Sequence, residues 1–393
     1  MKVLIINSVC GIGSTGKICT QIADKYISKG HTCMIAYGRG TVPDNYKSVA
    51  KRIGSDFGVK LSAIHTRITD KHGFANKYAT KKFLKWADDY NPDIVWLHNI
   101  HGYYINAKML FDWIKSRPDM QVKWSFHDSW PFTGHCSYAD EKRCDKWIKG
   151  CYDCKFKKDY PSSYVDNSFK NYRAKKKAFL GVKNMTLYAA SKWMSCNLKK
   201  SYLSQYDVKV MDNGVDLEIF KPTPGDLREK YNLENKYIVL GVSFAWGIKK
   251  GLDVFVELSK CLPEQYAIIL VGINEKVKRQ LPDNIIAIER TNNQQELAKL
   301  YTMADVFVNP TREDTYPTVN MESICCGTPV ITFETGGSPE SIDENTGSVV
   351  PCNDVDALYK EIIRICTEKP YTTEMCVEAG KRFDKDLKYN INI

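Results

Sequence analysis

The chain predicts an α/β protein built of two Rossmann-like domains, each a parallel sheet covered by helices on both faces. Three observations carry this. Short apolar runs alternate with helical stretches along the whole length, the pattern of βαβ units. At 393 residues the chain is longer than one hydrophobic core usually serves. Its charge also divides: residues 1–200 hold 35 Lys and Arg against 16 Asp and Glu, whereas residues 201–393 hold 21 against 30.

In the first half, strands are expected at 3–7, 33–37, 94–98, 122–127 and 186–190. In the second, they are expected at 238–243, 267–271, 285–288, 306–309 and 329–333. All are runs rich in Val, Ile and aromatics, bounded by turn residues. The boundary belongs between 205 and 222, a stretch holding Asn213-Gly214-Val215-Asp216 and Lys221-Pro222. The expected units are 1–205, with a Cys-rich insertion at 130–160, then 206–379, then a tail 380–393 returning to the first domain. Hydrophobic content of 43% and charged content of 26% are those of a globular protein. No apolar run reaches the length of a membrane span. Met1 leads directly into a strand without a signal-peptide pattern, and fourteen Cys in such a chain fit a reducing cytoplasm.

In open parallel sheets ligands bind beyond the carboxyl ends of strands, so the loops there matter most. The first, Cys10 to Lys17, reads C-G-I-G-S-T-G-K. It matches most of a P-loop, but Ile18 stands where Ser or Thr must hold magnesium. It is read as a glycine-rich turn. His98 and His101 follow the third strand, and His127-Asp128 ends the fourth. A His-x2-His pair alone is more often hydrogen-bonded than metal-bound.

The richest segment is 312–340, R-E-D-T-Y-P-T-V-N-M-E-S-I-C-C-G-T-P-V-I-T-F-E-T-G-G-S-P-E. A helix is expected from about Thr318. Its first-turn N–H groups, around Thr318 and Val319, and its positive dipole end suit a phosphate. Glu322, one turn in, suits sugar hydroxyls. Together they describe a nucleotide-sugar site.

This segment resembles the donor site of the retaining glycosyltransferases of family 4, which have the GT-B fold. That family carries two Glu residues at the spacing of Asp314 and Glu322, followed by a strand entry like C-G-T-P-V-I. Here the first Glu is Asp314, preceded by Glu313, and either can face the donor sugar. The strings N-G-V-D…F-K-P at 213–222 and F-H-D-S-W-P-F-T-G-H-C at 126–136 are similar to members that build bacterial surface polysaccharides. The resemblance implies transfer from a nucleotide diphosphate-sugar to a glycan acceptor, lipid-linked, for capsule, O-antigen or exopolysaccharide. Sugar-phosphate synthases and phosphorylases share the fold and are the alternative enzymes. It also implies roles. Gly13 and Gly16 lie in the turn near donor or acceptor, and His127 approaches the transferred sugar. Lys250, with Lys249, neutralises the donor pyrophosphate; Phe244 stands where the family usually has an Arg. Arg290 stacks on the nucleobase. No metal or other cofactor is implied for catalysis, and Asp354-x-Asp356 and Asp384-x-Asp386 are read as capping or solvated charges.

Cys136, Cys144, Cys151 and Cys154 fall within nineteen residues, with His135 beside them, and are expected to hold a structural zinc. The lysines around them would also suit a zinc-containing nucleic-acid-binding module, the non-enzyme alternative. No nucleic acid is expected as a partner, because one small module leaves both Rossmann-like halves unexplained. The basic first half suits an anionic membrane face. Segments 77–86 and 170–179, where lysines alternate with aromatics, are the expected contacts at the inner face of the membrane.

Overall fold

The computed structural model describes residues 1–139 and 144–389. The chain divides into two compact units. One spans Met1–Asp212 and regains the chain at Tyr389; the other spans Asn213–Lys388.

The first unit holds a seven-stranded sheet: β1 Lys2–Asn7, β2 Thr32–Tyr37, β3 Ala50–Arg52, β4 Ile94–Leu97, β5 Gln121–Phe126, β6 Met185–Ala189 and β7 Asp207–Val210. Every pairing is parallel, in the order β3-β2-β1-β4-β5-β6-β7. The alternation along β1 explains why the strands read as continuous apolar runs. Leu4 and Ile6 enter one core layer, while Val3 and Ile5 enter the other. Both faces are covered, as parallel sheets require. Helix α1 (Gly13–Ser28) supplies Ile18, Ile22 and Tyr26 to the second layer at helical spacing. Helices α2 (Asp56–Thr69) and α3 (Lys77–Tyr90) follow before β4.

The second unit holds six parallel strands: β8 Tyr237–Val242, β9 Tyr266–Val271, β10 Ile285–Ile288, β11 Val306–Asn309, β12 Val330–Phe333 and β13 Gly347–Val350. Their order is β10-β9-β8-β11-β12-β13. Both sheets are doubly wound, and in each the strand order reverses beside the first strand, between β1 and β4 and between β8 and β11. These reversals are the crevices where such sheets take ligands.

Three short strands go beyond the expected set: β3, β7 and β13. Of these, β7 narrows the boundary within the expected 205–222 stretch. It pairs with β6, so the first sheet runs past 205 and the division falls after Asp212. The tail also differs from expectation. Val215 N donates to Phe383 O at 2.7 Å and Lys385 N to Val215 O at 2.9 Å, which stitches 383–385 onto the start of the second unit. Only from Tyr389, which joins the core beside α1, does the chain return to the first unit.

The aromatics of 77–86 and 170–179 also depart from their expected exposure. Phe83, Tyr172 and Phe179 are buried in the first unit, whereas Tyr78 is 83% exposed. The helical faces carrying most of these rings are therefore core faces.

Candidate active site

The loops after β8 and β11 meet at the crevice of the second unit. Gly251 makes that meeting close. Its φ is +72°, and a Cβ there would lie 2.4 Å from Pro310 O, so only glycine lets the Lys249-Lys250 turn pack onto the end of β11. Two lysine–carboxylate pairs result. Lys249 Nζ donates to both oxygens of Glu313 at 2.7 Å. Lys250 Nζ donates to Asp314 Oδ2 at 2.7 Å, and to Thr311 Oγ1 and Glu313 O at 3.3 Å. The two acids are unequal. The Glu313 side chain is 5% exposed and that of Asp314 is 20% exposed. Arg312 turns the other way, donating twice to Asp253 at 2.8 and 2.9 Å, and so braces the loop.

A second turn closes on Asp314 after β12. Gly336 has φ +55°, and a Cβ there would sit 2.0 Å from Asp314 O. Gly337 N donates to that same oxygen at 3.2 Å. Beside this turn the hydroxyls of Thr335 and Ser338 are buried without a hydrogen-bond partner among the described residues, which suits a polar ligand. Sequence reasoning did not single out Thr335, Gly336 or Ser338. The signal was the T-G-G-S string within the quoted motif.

The helix Thr318–Cys325 starts after Pro317, and no side chain caps it. Pro317 offers no side-chain cap to the first turn, where Thr318 and Val319 lie, and a helix start of this kind favours an anion. Buried Asn320 fixes the helix. It accepts from Asn309 Nδ2 at 2.8 Å and donates to Ser341 Oγ at 3.0 Å, tying β11 to the segment after β12. Glu322 is partly exposed and accepts from the buried Tyr301 hydroxyl at 3.1 Å, which orients its carboxylate. Arg290, following β10, lies over the exposed Phe244 ring at 4.0 Å. Phe244 stands where the resembled family usually has an Arg, and Arg290 stacks on it as a cation over a ring.

In the first unit the loops after β1, β4 and β5 gather the histidines. Gly13 is the first residue of α1 and Gly16 lies in its first turn, its Cα face 3.1 Å from Gly11 N when a Cβ is added. His98 Nδ1 and His127 Nε2 share a hydrogen bond of 2.9 Å with their rings stacked. His101 Nε2 is 2.7 Å from Asp128 Oδ2, and Asp128 Oδ1 accepts from Trp130 N at 2.9 Å. His72, delivered from the end of α2, accepts from Gly102 N at 3.2 Å. Buried Lys175 donates to Trp130 O and Thr133 O and so anchors the turn after Asp128.

Burial sets the electrostatics here. It pushes His127 down to about 4, partly offset by Asp128, and pushes His98 well below its ordinary range, with His127 adding to the effect. Burial pushes the Asp128 carboxyl up, but His101 and the Trp130 N–H outweigh it and leave the group below its usual value. The imidazoles of His98 and His127 are therefore neutral at physiological pH. The unfolded chain binds protons on them that the folded chain refuses, so this part of the stability is present above about 6.5. It is lost as pH falls towards about 4. We expect the urea midpoint to drop across that window, and a His127→Gln variant to drop less steeply. Equal slopes for the two proteins would show that His127 is charged in the folded state.

Cys136, Cys144, Cys151 and Cys154 line one cavity of about 320 Å³ together with His135. His135 Nδ1 is 2.5 Å from Asp70 Oδ1, and Gly134 N donates to Cys151 Sγ at 3.0 Å. Among the described residues, no three His, Cys, Asp or Glu groups stand together in a way that could hold a metal ion. Asp354 caps the helix Val355–Glu368 through Ala357 N at 2.9 Å, and Asp384 accepts from Asp386 N at 2.8 Å.

Comparison with known proteins fits this geometry. Residues 225–383, nearly all of the second unit, match the family described as glycosyl transferases group 1. The chain is 20% identical to the colanic acid biosynthesis glycosyl transferase WcaC of Escherichia coli K12, over 89% of this chain and 87% of that one. It is 26% identical to an Escherichia coli UDP-Gal:alpha-D-GlcNAc-diphosphoundecaprenol alpha-1,3-galactosyltransferase, over 44% of this chain and about half of that one, 48%. Among solved structures, the sucrose-phosphate synthase of Thermosynechococcus elongatus superposes with a TM-score of 0.70, at 17% identity, over 99% of this chain and 96% of that one. The last likeness is one of fold, and it agrees with two parallel Rossmann-like sheets of the GT-B kind.

Proposed function

We propose that this chain, whose second unit belongs to the group 1 glycosyl transferases, moves a sugar from a nucleotide diphosphate-sugar to a lipid-linked saccharide with retention of the anomeric configuration. The product feeds a surface polysaccharide of the capsule or O-antigen type. The observation that carries this reading is the pair of lysines held by Glu313 and Asp314 at the β8–β11 crevice, beside the uncapped helix at Thr318.

That arrangement suits one chemical problem, the departure of a diphosphate. As the bond between the sugar and the β-phosphate oxygen breaks, negative charge grows on the leaving group. Lys250 and the first-turn N–H groups of Thr318 and Val319 supply positive charge already in place. The acceptor hydroxyl attacks from the same face, and its proton passes to the departing phosphate oxygen. Glu322 holds the ribose hydroxyls and Arg290, on Phe244, meets the base. Asp314, the more accessible acid, faces the donor sugar. His127 contacts the transferred sugar, and Gly13 and Gly16 place the start of α1 against the substrates. The reaction is proposed to need no metal, since Asp354 and Asp384 are committed to backbone N–H groups. The relative that uses a diphosphoundecaprenol acceptor supports a lipid-linked acceptor here, and with it work at the cytoplasmic face of the inner membrane. The attachment proposed is peripheral; no helix among the described residues is long and apolar enough to cross a membrane.

Screening nucleotide sugars by thermal shift tests the donor assignment. A true donor at about a hundred times its dissociation constant adds about 2.7 kcal/mol of stability. Transfer to a lipid-linked saccharide should then survive EDTA. Transfer only to a free sugar phosphate would point to the synthase alternative, and strict dependence on added divalent metal would remove the metal-independent step. The structural zinc expected at Cys136, Cys144, Cys151 and Cys154 is not proposed here: the four line one cavity, but among the described residues no three such groups are placed to hold a metal ion.

A further inference from the structure

Helix α2 is built inside out. It runs for fourteen residues, about 21 Å, from a Ser55 cap that accepts from Gly58 N to a left-handed Asp70. A surface helix normally turns its apolar stripe to the core. Here the fully buried residues are Ser62 and Thr66, the second donating to the carbonyl of the first at 2.9 Å. The large apolar residues face out: Phe57 is 70% exposed, Leu61 50%, Ile64 57% and Ile68 58%. Their spacing of four, three and four residues puts all of them within about 60° of one another on the helix surface. Scattered exposed apolar residues are ordinary, but a continuous row along one helix is an unfilled interface.

The row continues beyond the helix. Tyr164 N donates to Arg67 O at 2.8 Å, which fixes the 163–165 segment at the end of α2, and Tyr164 is itself 71% exposed. Basic charge lies beside it. Lys60 and Arg67 flank the stripe and are exposed, and the Arg67 guanidinium lies 5.9 Å from the centre of the Tyr164 ring. From Phe57 to Lys85 the sequence carries seven Lys and Arg and a single acid, Asp70, which is buried against His135. The C-terminal end of α2 delivers His72 into the cluster of His101, Trp130 and Tyr160, so the stripe adjoins the histidine-lined end of the first sheet.

We infer that α2 is a membrane-docking helix, which lays Phe57, Leu61, Ile64 and Ile68 among lipid acyl chains while Lys60 and Arg67 meet anionic headgroups. Charge decides the occupant. An apolar row bordered by basic side chains, with no exposed acid from Phe57 to Lys85, matches an anionic lipid surface. A second copy of the same face would set like charges against each other. The inference deepens the lipid-linked reading of the acceptor and replaces the two segments first expected to meet the membrane. A helix lying in the headgroup layer would hold the histidine-lined end of the sheet next to the lipid that carries the acceptor.

The test uses the full chain and vesicles, with neither donor nor acceptor present, so that its result is independent of transfer. Wild-type protein should sediment with vesicles containing about one-third phosphatidylglycerol, should bind phosphatidylcholine vesicles far less, and should be released by high salt. A Leu61→Gln, Ile64→Gln double variant changes only exposed positions. It should keep the wild-type circular dichroism, melting temperature and nucleotide affinity while its vesicle partition falls about tenfold or more. A Lys60→Gln, Arg67→Gln variant should lose much of the preference for the anionic vesicle. Partition unchanged in the first variant, or equal wild-type recovery with both vesicles at low salt, would overturn the inference. So would a wild-type dimer that fails to bind vesicles and becomes monomeric in the Leu61→Gln, Ile64→Gln variant, which would give the stripe to a second copy.

Discussion

His127→Ala is expected to lower kcat by about 10²–10³-fold, the loss typical of one well-placed hydrogen-bonding group at a reacting centre. Affinity for free nucleotide diphosphate should hardly change. The reason lies in what the environment allows the ring to be. Burial holds His127 neutral, down to about 4, so at working pH it cannot serve as a cationic acid or pair with phosphate as a charge. What it can do is hold a sugar hydroxyl in a fixed direction. His98 sets that direction through the 2.9 Å bond between the stacked rings. On the proposed reading His98 acts as a positioning residue, and its loss should lower kcat less than the loss of His127, with partial rescue by His98→Asn. Steady-state kinetics with calorimetric titration of the nucleotide separates the two effects. His127→Ala turning over at close to the wild-type rate would reduce the residue to a satisfied histidine at a strand end.

The parts of this site that follow from local chemistry were legible in the sequence, and the parts that depend on which strands are neighbours were not. β1, β5, β9 and β12 are runs of buried residues on both faces, so their composition alone announces them. β3 has only three residues, none fully buried, and β7 is an edge strand with little of its length buried. Such strands exist because a partner offers hydrogen bonds, and no run of apolar residues marks them. The helix at Thr318 and the acids near it were readable from the motif. The pairing of Lys249 with Glu313 was not, because the two are sixty-four residues apart and meet only where β8 lies beside β11. α2 is the sharpest case. Its apolar residues recur at helical spacing, and that period predicts a helix well. The period is silent on whether the apolar face meets the core or the outside, and here the small hydroxyl residues take the core side.

The clamp itself gives the second large effect, and the two lysines should not behave alike. Lys249 binds both oxygens of a carboxylate that is 5% exposed, so removing it leaves Glu313 charged and buried without its partner. Its alanine variant should be seen first in a lowered melting temperature. Lys250 holds one oxygen of the more accessible Asp314 and two weaker acceptors at 3.3 Å, an arrangement that a phosphate can take over. Lys250→Ala should therefore lower kcat by about 10²–10³-fold with little change in ground-state affinity, since the charge it meets grows only as the leaving group departs. Glu322→Ala should do the reverse. It removes a charged acceptor for the ribose hydroxyls, worth about 1.5–3 kcal/mol, and so should weaken nucleotide sugar and free nucleotide diphosphate alike by about 10- to 100-fold. Saturating donor should then restore most of its rate, as expected for an interaction equal in ground and transition states. Lys250→Ala and Glu322→Ala with the same split between kcat and KM would break the assignment of phosphate to one and ribose to the other. Wild-type affinity and turnover in both would move the donor site away from this crevice.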